Sequence, residues 1–246
     1  YGAQEEDILA YYEKITAEKN EIEVSDERIS GLEEQLYALS DEIKILSANL
    51  TESRLKAARR FEKEVKAERE FLDMPKVDFV VDRKATALTS KGADSIEFLI
   101  SANPGQAPKP IARIASGGEL SRIMLALKTV LAHKDKIPTM IFDEIDAGIS
   151  GITAWKVSEE LSKVSSQHQV ICITHLPQIA SMADHHYMIE KFAKEGGTVT
   201  ELTKLSEEGS LSELARLLGS DTASDAALSN AKEMKEKATA YKDGLK

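Results

Sequence analysis

A pair of glycines at the start of a predicted helix is the first feature of the sequence that could do chemistry. The stretch ASGGELSR, residues 115–122, leads into the apolar run IMLALKTVLA. Glycine lets the backbone approach a ligand closely, and the amides and positive dipole of a helix N-terminus favour anions such as phosphate. A capped helix start without a ligand is the alternative. The candidate phosphate-binding residues are Ser116, Gly117, Gly118 and Glu119.

A group of acidic residues follows a short apolar pattern that predicts a strand. In TMIFDEIDAGIS, residues 139–150, Asp143 and Glu144 come directly after the strand and Asp146 lies two residues on. One carboxylate at such a strand end can hold Mg²⁺, usually through water, and its neighbour can orient and deprotonate an attacking water. The pattern therefore suggests Asp143 for the metal and Glu144 for catalysis. Acidic residues also mark many strand ends that have no catalytic role.

A histidine follows a second apolar strand pattern. In VICITHLPQI, His175 comes after the strand and before Leu176 and Pro177. A neutral imidazole in this position could form a hydrogen bond with a terminal phosphate or with an attacking water. A histidine at a strand end can equally have a structural role.

These three stretches lie in a region where predicted strands and helices alternate. Alternation of this kind predicts an α/β layered domain. The segment 101–110, SANPGQAPKP, is rich in proline and predicts a connecting loop. The predicted strands are 77–81, 96–100, 139–142, 169–174, 186–190 and 198–205, and the predicted helices are 118–133, 151–166, 176–183, 211–218 and 222–241.

Residues 1–72 have a different pattern, which predicts one long helix. They contain no proline, and from Ile29 to Leu50 the apolar residues alternate steps of three and four, as in a heptad repeat. Pro75 ends the helix because it disfavours a helical conformation at Met74. An apolar seam of this kind requires a partner helix, and the sequence offers no second helix of matching length. The partner is then missing from this sequence or comes from another chain, unless the helix folds against its own globular domain.

Composition restricts the function further. The 246 residues carry a net charge of −10, so contact with DNA would need a local basic patch. No apolar run approaches the roughly 20 residues of a membrane helix, which argues against a membrane partner. The single cysteine, Cys172, excludes an internal disulfide and is expected to be a buried apolar residue. Adjacent His185 and His186 would point to opposite faces of a strand, so they are expected to be structural.

A cluster of basic residues lies near the end of the predicted long helix. Each phosphate that such a patch neutralises adds salt-dependent affinity for DNA. Acidic neighbours dilute the cluster, and a solvated face of a coiled coil is the alternative explanation. The candidate DNA-binding residues are Arg54, Lys56, Arg59, Arg60 and Lys63, with Lys66 and Arg69 further along the helix.

Taken in order, the motifs resemble the C-terminal lobe of an ABC-type ATPase head. SGGE resembles the signature motif, MIFDE the Walker B motif, DAG the D-loop and ITH the switch histidine. The wording of FLISANPGQAPKPIARIASGGELSRIMLALKTVLA, IFDEIDAGISG and VICITHLPQIASMADHH is more specific. It resembles the RecN family of bacterial DNA repair proteins, which are SMC-like ATPases. The resemblance covers essentially the whole chain and is densest from Phe98 to His186.

This resemblance implies an α/β fold in which residues 73–246 form the C-terminal lobe of an ABC-type ATPase head, preceded by a coiled-coil arm over residues 1–72. The sequence contains no G-x-x-x-x-G-K-[S/T] motif, so a P-loop would have to come from elsewhere. The implied partners are an N-terminal Walker A lobe with its outgoing arm, a second head that dimerises with ATP, and DNA. The chain alone is therefore expected to hydrolyse no ATP, and the implied location is the cytoplasm, at the nucleoid.

The resemblance also implies roles for the candidate residues. ATP and Mg²⁺ would be the cofactors, and the protein would act on DNA double-strand breaks and ends. Asp143 would place Mg²⁺, Glu144 would polarise water, and His175 would sense the γ-phosphate. Asp146 would couple the two sites of a dimer of heads. The signature residues Ser116, Gly117, Gly118 and Glu119 would face the nucleotide of the opposite head.

Two alternatives remain open. One is a different SMC-like ATPase with a role in chromosome maintenance. The other is a structural coiled-coil adaptor whose head dimerises without hydrolysis. The presence of Asp143, Glu144 and His175 together argues against the adaptor, because a head without catalysis has little physical need for all three.

Overall fold

The structure is a computed structural model that describes residues 4–101, 105–113, 117–132, 134, 136–194, 197–219 and 224–245. The chain divides into two compact units. The first contains the residues up to Ala57 together with Arg83–Ser95, and the second contains Ala58–Asp82 and the residues from Ile96 onward. The helix α1 and the strands β1 and β2, described below, each contribute residues to both units.

One helix, α1 (Glu5–Phe71), accounts for the proline-free stretch. Ion pairs spaced four residues apart, such as Lys14 with Glu18 and Lys19 with Glu23, line its solvated surface. The apolar seam of the heptads is open to solvent: its residues Ile29, Leu32, Leu36, Leu39, Ile43 and Leu46 are 41% to 66% exposed.

In the first unit, α1 contacts the tip of a β-hairpin. The hairpin strands are β1 (Asp78–Thr89) and β2 (Gly92–Ser101), which turn over Ser90 and Lys91. The Asp94 carboxylate accepts hydrogen bonds from Thr51 (2.7 Å) and from Arg83 (2.7 Å), and more weakly from Arg54 (3.4 Å). These bonds lower the pKa of Asp94, and the bond from Thr51 contributes most to the shift. The buried carboxylate therefore joins the hairpin tip to α1.

In the second unit, α1 ends in a C-terminal cap. Asp73 has a positive φ of 58°, and the Met74 amide donates to the Arg69 carbonyl at 2.9 Å. This is the hydrogen-bond pattern of a Schellman motif, in which a left-handed residue satisfies the last carbonyls of a helix. The helix ends where the sequence predicts. Pro75 is not the sole cause of this end, because the cap at Asp73 and Met74 comes before it.

The remaining strands form small sheets. β2 pairs antiparallel with β3 (Lys109–Pro110), which gives a three-stranded sheet in the order β1-β2-β3. β4 (Thr139–Phe142) and β5 (Gln169–Cys172) are parallel, with Thr139 opposite Gln169. β6 (Tyr187–Lys194) and β7 (Gly197–Lys204) form an antiparallel hairpin.

Helices alternate with these strands, as the sequence predicts for an α/β domain. A 3₁₀ turn spans Ile111–Arg113. The α-helices after α1 are α2 (Gly117–Leu131), α3 (Gly151–Ser165), α4 (Pro177–Ser181), α5 (Glu207–Leu217) and α6 (Asp225–Asp243).

Several predicted elements differ in extent from the structure. β1 and β2 continue well beyond the predicted 77–81 and 96–100 and meet in a hairpin. The predicted loop 101–110 contains β3. The strand predicted from residue 186 begins at Tyr187.

The core of the second unit lies between α1, α2, α3 and the β4–β5 pair. Val65 of α1, Leu125 of α2 and Val157 of α3 are fully buried in it. The rings of Phe61, Phe79 and Phe98 pack together with centroids 5.5 to 5.7 Å apart. In the described part of the chain, no helix combines the length and apolarity that crossing a membrane requires.

Candidate nucleotide site at the end of the parallel strands

Two loops leave the same edge of the β4–β5 pair. The acidic loop, Asp143–Ser150, follows β4, and the histidine loop, Ile173–Leu176, follows β5. Because the two strands are parallel, their carboxyl ends meet at one edge, the position where α/β sheets commonly bind ligands. The Ile173 amide donates to the Phe142 carbonyl at 3.0 Å and continues the pairing beyond β5.

The acidic loop contains a left-handed residue. Glu144 has a φ of 54°, a conformation that costs a residue with a side chain about 1–2 kcal/mol. The Asp143 carboxylate accepts the Glu144 amide at 2.9 Å, and the Ala147 amide donates to the Glu144 carbonyl at 3.0 Å. These bonds hold the strained turn and leave the side chains of Asp143 and Glu144 exposed.

The glycines that begin α2 pack directly against this loop. A Cβ added to Gly118 would lie 2.8 Å from the Ala147 Cβ and 3.1 Å from the Glu144 carbonyl oxygen. A Cβ added to Gly117 would overlap the Glu144 carboxylate. Gly118 therefore needs glycine because the loop backbone approaches too closely for a side chain, whereas at Gly117 the exposed Glu144 side chain can move aside.

Two further residues of α2 hold the acidic loop. Arg122 is buried and donates through Nη1 to the carbonyls of Ala147 (2.9 Å) and Ile145 (3.3 Å). Ser121 donates to the Asp143 carbonyl at 2.9 Å. Burial lowers the pKa of Arg122, and the negative charge of Glu119 opposes this shift.

Asp146 joins the acidic loop to the histidine loop. Its carboxylate is 4% exposed, and its Oδ2 accepts the Thr174 hydroxyl (2.6 Å) and the His175 amide (2.8 Å). The Nδ1 of His175 lies 2.9 Å from the same oxygen, while the His175 side chain is 72% exposed. The Leu176 amide donates to the Thr174 hydroxyl at 3.0 Å, which extends the network along the loop.

The structure thus brings most of the predicted site residues together. Gly117 and Gly118 lie against Glu144, and Asp146 lies against His175. Glu119 is exposed on the first turn of α2. Ser116 lies outside the described residues. The roles expected for these residues stay predictions.

Sequence analysis missed the residues that organise the site. Arg122 and Ser121 follow the glycines by one turn of helix, and Thr174 directly precedes His175. Their positions next to the motifs were visible, but their partners are backbone carbonyls and a buried carboxylate, which the sequence does not reveal.

Asp143 could supply one ligand to Mg²⁺. One of its oxygens accepts the Glu144 amide, and the side chain is exposed. Within the described residues, no group of three or more His, Cys, Asp or Glu side chains could hold a metal. Mg²⁺ usually binds one or two carboxylates together with phosphate oxygens and water, so a single carboxylate is compatible with a shared site.

The structure corrects the predicted basic cluster on α1 at one residue. Arg69 is 2% exposed and donates to the Met74 carbonyl, so its inclusion among the residues that contact DNA was wrong. Arg54 donates to Asp94 and to the Lys91 carbonyl. Lys56 pairs with Glu52 and Arg60 with Glu64 along the helix. Arg59 and Lys63 are exposed.

Cys172 is half-buried, not fully buried as expected, and both histidines precede β6 instead of lying in a strand; His185 is exposed, whereas His186 has the contacts of a structural residue. Burial, followed by the charges of Asp146 and Asp143, raises the pKa of Cys172 to about 12, so the thiol stays protonated. The Nδ1 of His186 lies 2.9 Å from the Ser210 hydroxyl, and burial lowers the pKa of this histidine.

Several curated proteins are similar to the chain over nearly its whole length. The DNA repair protein RecN of Bacillus subtilis is 36% identical over an alignment of 258 residues, which covers 98% of this chain and 45% of the relative. RecN of Rickettsia conorii is 43% identical over 222 residues, covering 90% of this chain and 40% of the relative. The chain spans less than half the length of these relatives. A scan against protein-family models finds no match.

A solved structure shares the fold. The SMC head domain of Pyrococcus yayanosii, with a coiled coil and joint, matches with a TM-score of 0.59 at 21% identity, over 85% of this chain and 38% of that one. The chain therefore has the α/β fold of that SMC head and is similar, over nearly its whole length, to the C-terminal part of the RecN proteins.

Proposed function

We propose that this chain is the C-terminal lobe and returning arm of a RecN-type DNA repair ATPase. The observation that carries the proposal is the convergence at one sheet edge of three elements: the glycines of α2, the acidic loop and the histidine loop. Glycine amides suit phosphate, adjacent carboxylates suit a metal and a water, and an imidazole suits proton contacts. Nucleotide hydrolysis uses all three.

The residues take the following roles in this proposal. Glu144 orients and deprotonates the attacking water, and Asp143 provides a carboxylate for Mg²⁺. Mg²⁺ when bound would neutralise phosphate charge. His175 contacts the γ-phosphate or the attacking water. Asp146 couples the two sites of a head dimer. The signature residues Ser116, Gly117, Gly118 and Glu119 serve the nucleotide held by the opposite head.

A separate Walker A lobe completes the head. The RecN relatives are more than twice as long as the matched region, and the chain has no P-loop sequence. The β4–β5 pair offers a surface for such a lobe, because Ile141, Ile171 and Ile173 are 68%, 45% and 46% exposed. A groove of about 400 Å³ beside them is lined by apolar side chains that include Leu120, Met124 and Ile137. Apolar surface of this extent commonly marks an interface.

The complete protein then acts on DNA double-strand breaks and ends, in the cytoplasm at the nucleoid. ATP binding joins two heads, hydrolysis separates them, and the arms move with the heads. The similarity to proteins named DNA repair protein RecN supports this assignment over a general role in chromosome maintenance. The exposed residues Arg59 and Lys63 are the best-placed members of the basic cluster for contact with DNA phosphates.

A chimera tests the proposal. The N-terminal part of Bacillus subtilis RecN, fused to this chain in place of the segment that it matches, provides the P-loop lobe and the outgoing arm. We expect phosphate release from ATP by this chimera and none by the chain alone. A chimera that dimerises with ATP but releases no phosphate would favour the structural adaptor. Hydrolysis by the purified chain alone would contradict the need for a second lobe.

A further inference from the structure

A buried carboxylate in the candidate site has all of its observed partners on the histidine loop. Oδ2 of Asp146 receives the Thr174 hydroxyl at 2.6 Å and the His175 amide at 2.8 Å, and it lies 2.9 Å from His175 Nδ1. A carboxylate that is only 4% exposed needs donors to offset its lost hydration. Asp146 is therefore fixed by its own loop partners, and it fixes them in return.

This contact determines which nitrogen of His175 carries the proton. In a neutral imidazole one ring nitrogen donates and the other accepts. A carboxylate oxygen can only accept, so a separation of 2.9 Å favours the proton on Nδ1 and leaves the lone pair on Nε2. The imidazole is 72% exposed, so it remains open to a ligand.

We propose that Asp146 is a positioning residue that holds His175 as the Nδ1–H tautomer and so presents Nε2 at the candidate site. The functional significance of this inference rests on the proposed function, but the contact itself involves only residues of this chain. The neutral imidazole then accepts a hydrogen bond from a water or another donor through Nε2. While Nδ1 donates to Asp146, contact of Nε2 with a phosphate oxygen requires the imidazolium, in which both nitrogens carry protons. Thr174 donates to the same oxygen, but its hydroxyl does not contact the His175 ring nitrogen in this arrangement.

The tautomer can be measured without nucleotide. The chain labelled with ¹⁵N at histidine is studied by long-range ¹H–¹⁵N correlation at alkaline pH, and His175→Gln assigns the signals. We expect a protonated Nδ1 and an unprotonated Nε2 for His175. The Nε2–H tautomer in the unmodified chain would overturn the proposal, and this measurement needs no variant that affects Asp146.

Asp146→Asn removes the charge and keeps the size of the side chain. We expect His175 to lose its fixed Nδ1–H form, as occurs when the orienting aspartate of a catalytic triad becomes an amide. Thr174→Val leaves the Asp146–His175 contact and is expected to retain the tautomer. His186, which contacts Ser210, serves as a reference within the same spectra. An unchanged His175 spectrum in Asp146→Asn would contradict the positioning role.

Activity separates this inference from the proposed function. In the RecN chimera, Asp146→Asn is expected to lower kcat about 10- to 100-fold with little change in KM, the range found when the outer partner of an oriented histidine is removed. A correct tautomer in a chimera that hydrolyses no ATP would contradict the proposed function alone. Hydrolysis by a chimera whose His175 carries its proton on Nε2 would contradict this inference alone.

Discussion

Glu144 is the residue in the acidic loop that the fold holds at the greatest cost. Its left-handed backbone is unusual for a residue with a side chain, and a glycine would adopt it more easily. The bonds from Ser121 and Arg122 to the surrounding carbonyls hold the loop in place. Strained backbone positions of this kind cluster at functional sites, which fits the role proposed for the Glu144 carboxylate.

Replacing this carboxylate tests its role directly. Glu144→Gln in the RecN chimera keeps the shape of the side chain but removes the base. We expect phosphate release to fall about 10²- to 10⁴-fold, the usual contribution of a general base, and ATP-bound dimers to accumulate. Size-exclusion chromatography with ATP measures the dimers.

Glu208→Gln, on the exposed first turn of α5, is the matched control. Turnover of the Glu144→Gln variant at the rate of this control would contradict the assignment of the base.

Replacement by alanine is expected to have opposite effects on stability at Gly118, where the acidic loop approaches closely, and at Gly31, where nothing lies nearby. Gly118→Ala would force the new methyl group against the backbone oxygens of Ala147 and Glu144, at 3.0 and 3.1 Å. We expect a loss of about 1–3 kcal/mol of stability, because backbone on two sides cannot yield as a side chain can. Gly31→Ala meets nothing within 4 Å and should strengthen α1 by about 1 kcal/mol.

Urea unfolding measures the first effect, and circular dichroism on heating measures the second. A Gly118→Ala variant as stable as the unmodified chain would show that the acidic loop can move away from α2.

Sequence reasoning predicted the composition of the site but not its connections. Glycines, adjacent carboxylates and a histidine can be recognised in the sequence from their residue types and spacing. The burial of Asp146 and its sharing between Thr174 and His175 depend on where the ends of β4 and β5 lie, and this becomes known only from the fold.

At the scale of elements, the last turns of α1 and the middle of α3 share a buried ionisable cluster. Glu160 is fully buried, and its Oε1 lies 2.5 Å from Lys163 Nζ. Among the described residues, its Oε2 has no hydrogen-bond partner. Burial and the charge of Glu160 raise the pKa of Glu68 to about 7. A protonated Glu68 can donate to Glu160, which links the two helices. Tyr241 of α6, with its pKa raised by burial, faces the same cluster.

This cluster predicts that stability depends on pH. The folded chain keeps the Glu68 proton to a higher pH than the unfolded chain, whose value is near 4.5. The stabilisation is therefore complete below about pH 4.5 and is lost as the pH rises through about 7. Glu68→Gln donates at every pH, so its stability should be flatter across this range and higher at pH 8 by on the order of 1 kcal/mol, after allowance for partial exposure.

Urea unfolding between pH 5 and pH 8 provides the measurement. Glu70→Gln, an exposed neighbour that pairs loosely with Lys66, is the control. Parallel stability curves for the unmodified chain and Glu68→Gln would contradict a shared proton.

Most elements were predictable because their patterns are local. The heptads of α1, the apolar strands β4 and β5 and the helices between them follow from periodicity in the sequence. The outer halves of β1 and β2 did not, because Asp82, Lys84 and Ala85 are weak strand formers. Their strand conformation is held by contacts of the hairpin tip with α1, such as the bonds of Asp94, which join residues far apart in the sequence.

At the scale of the molecule, two of the exposed apolar surfaces in the described part of the chain fit contacts with further polypeptide. One is the seam of α1, and the other is the exposed face of the β4–β5 pair. Both are expected from a polypeptide that forms part of a larger assembly. The relatives, of which the chain spans less than half, are long enough to supply a second arm and a second lobe.

A charge placed on the sheet face tests where the second lobe docks. Ile141 is 68% exposed, so Ile141→Asp should leave the melting temperature of the chain alone nearly unchanged. In the RecN chimera we expect the same change to lower the melting temperature and abolish phosphate release, because the carboxylate would be buried without a partner.

Leu202→Asp on β7, which replaces a residue that is 63% exposed, is the control and should leave both properties unchanged. An Ile141→Asp chimera with full activity would place the second lobe elsewhere.

The cap at the end of α1 also has a mechanical consequence. The Asp73 carboxylate accepts Thr153 at 2.6 Å and Lys156 at 2.7 Å, both from the first two turns of α3. α3 begins at Gly151, where the acidic loop ends. We expect a force that pulls on the last turn of α1 to reach, through this one side chain, the helix that begins where the acidic loop ends.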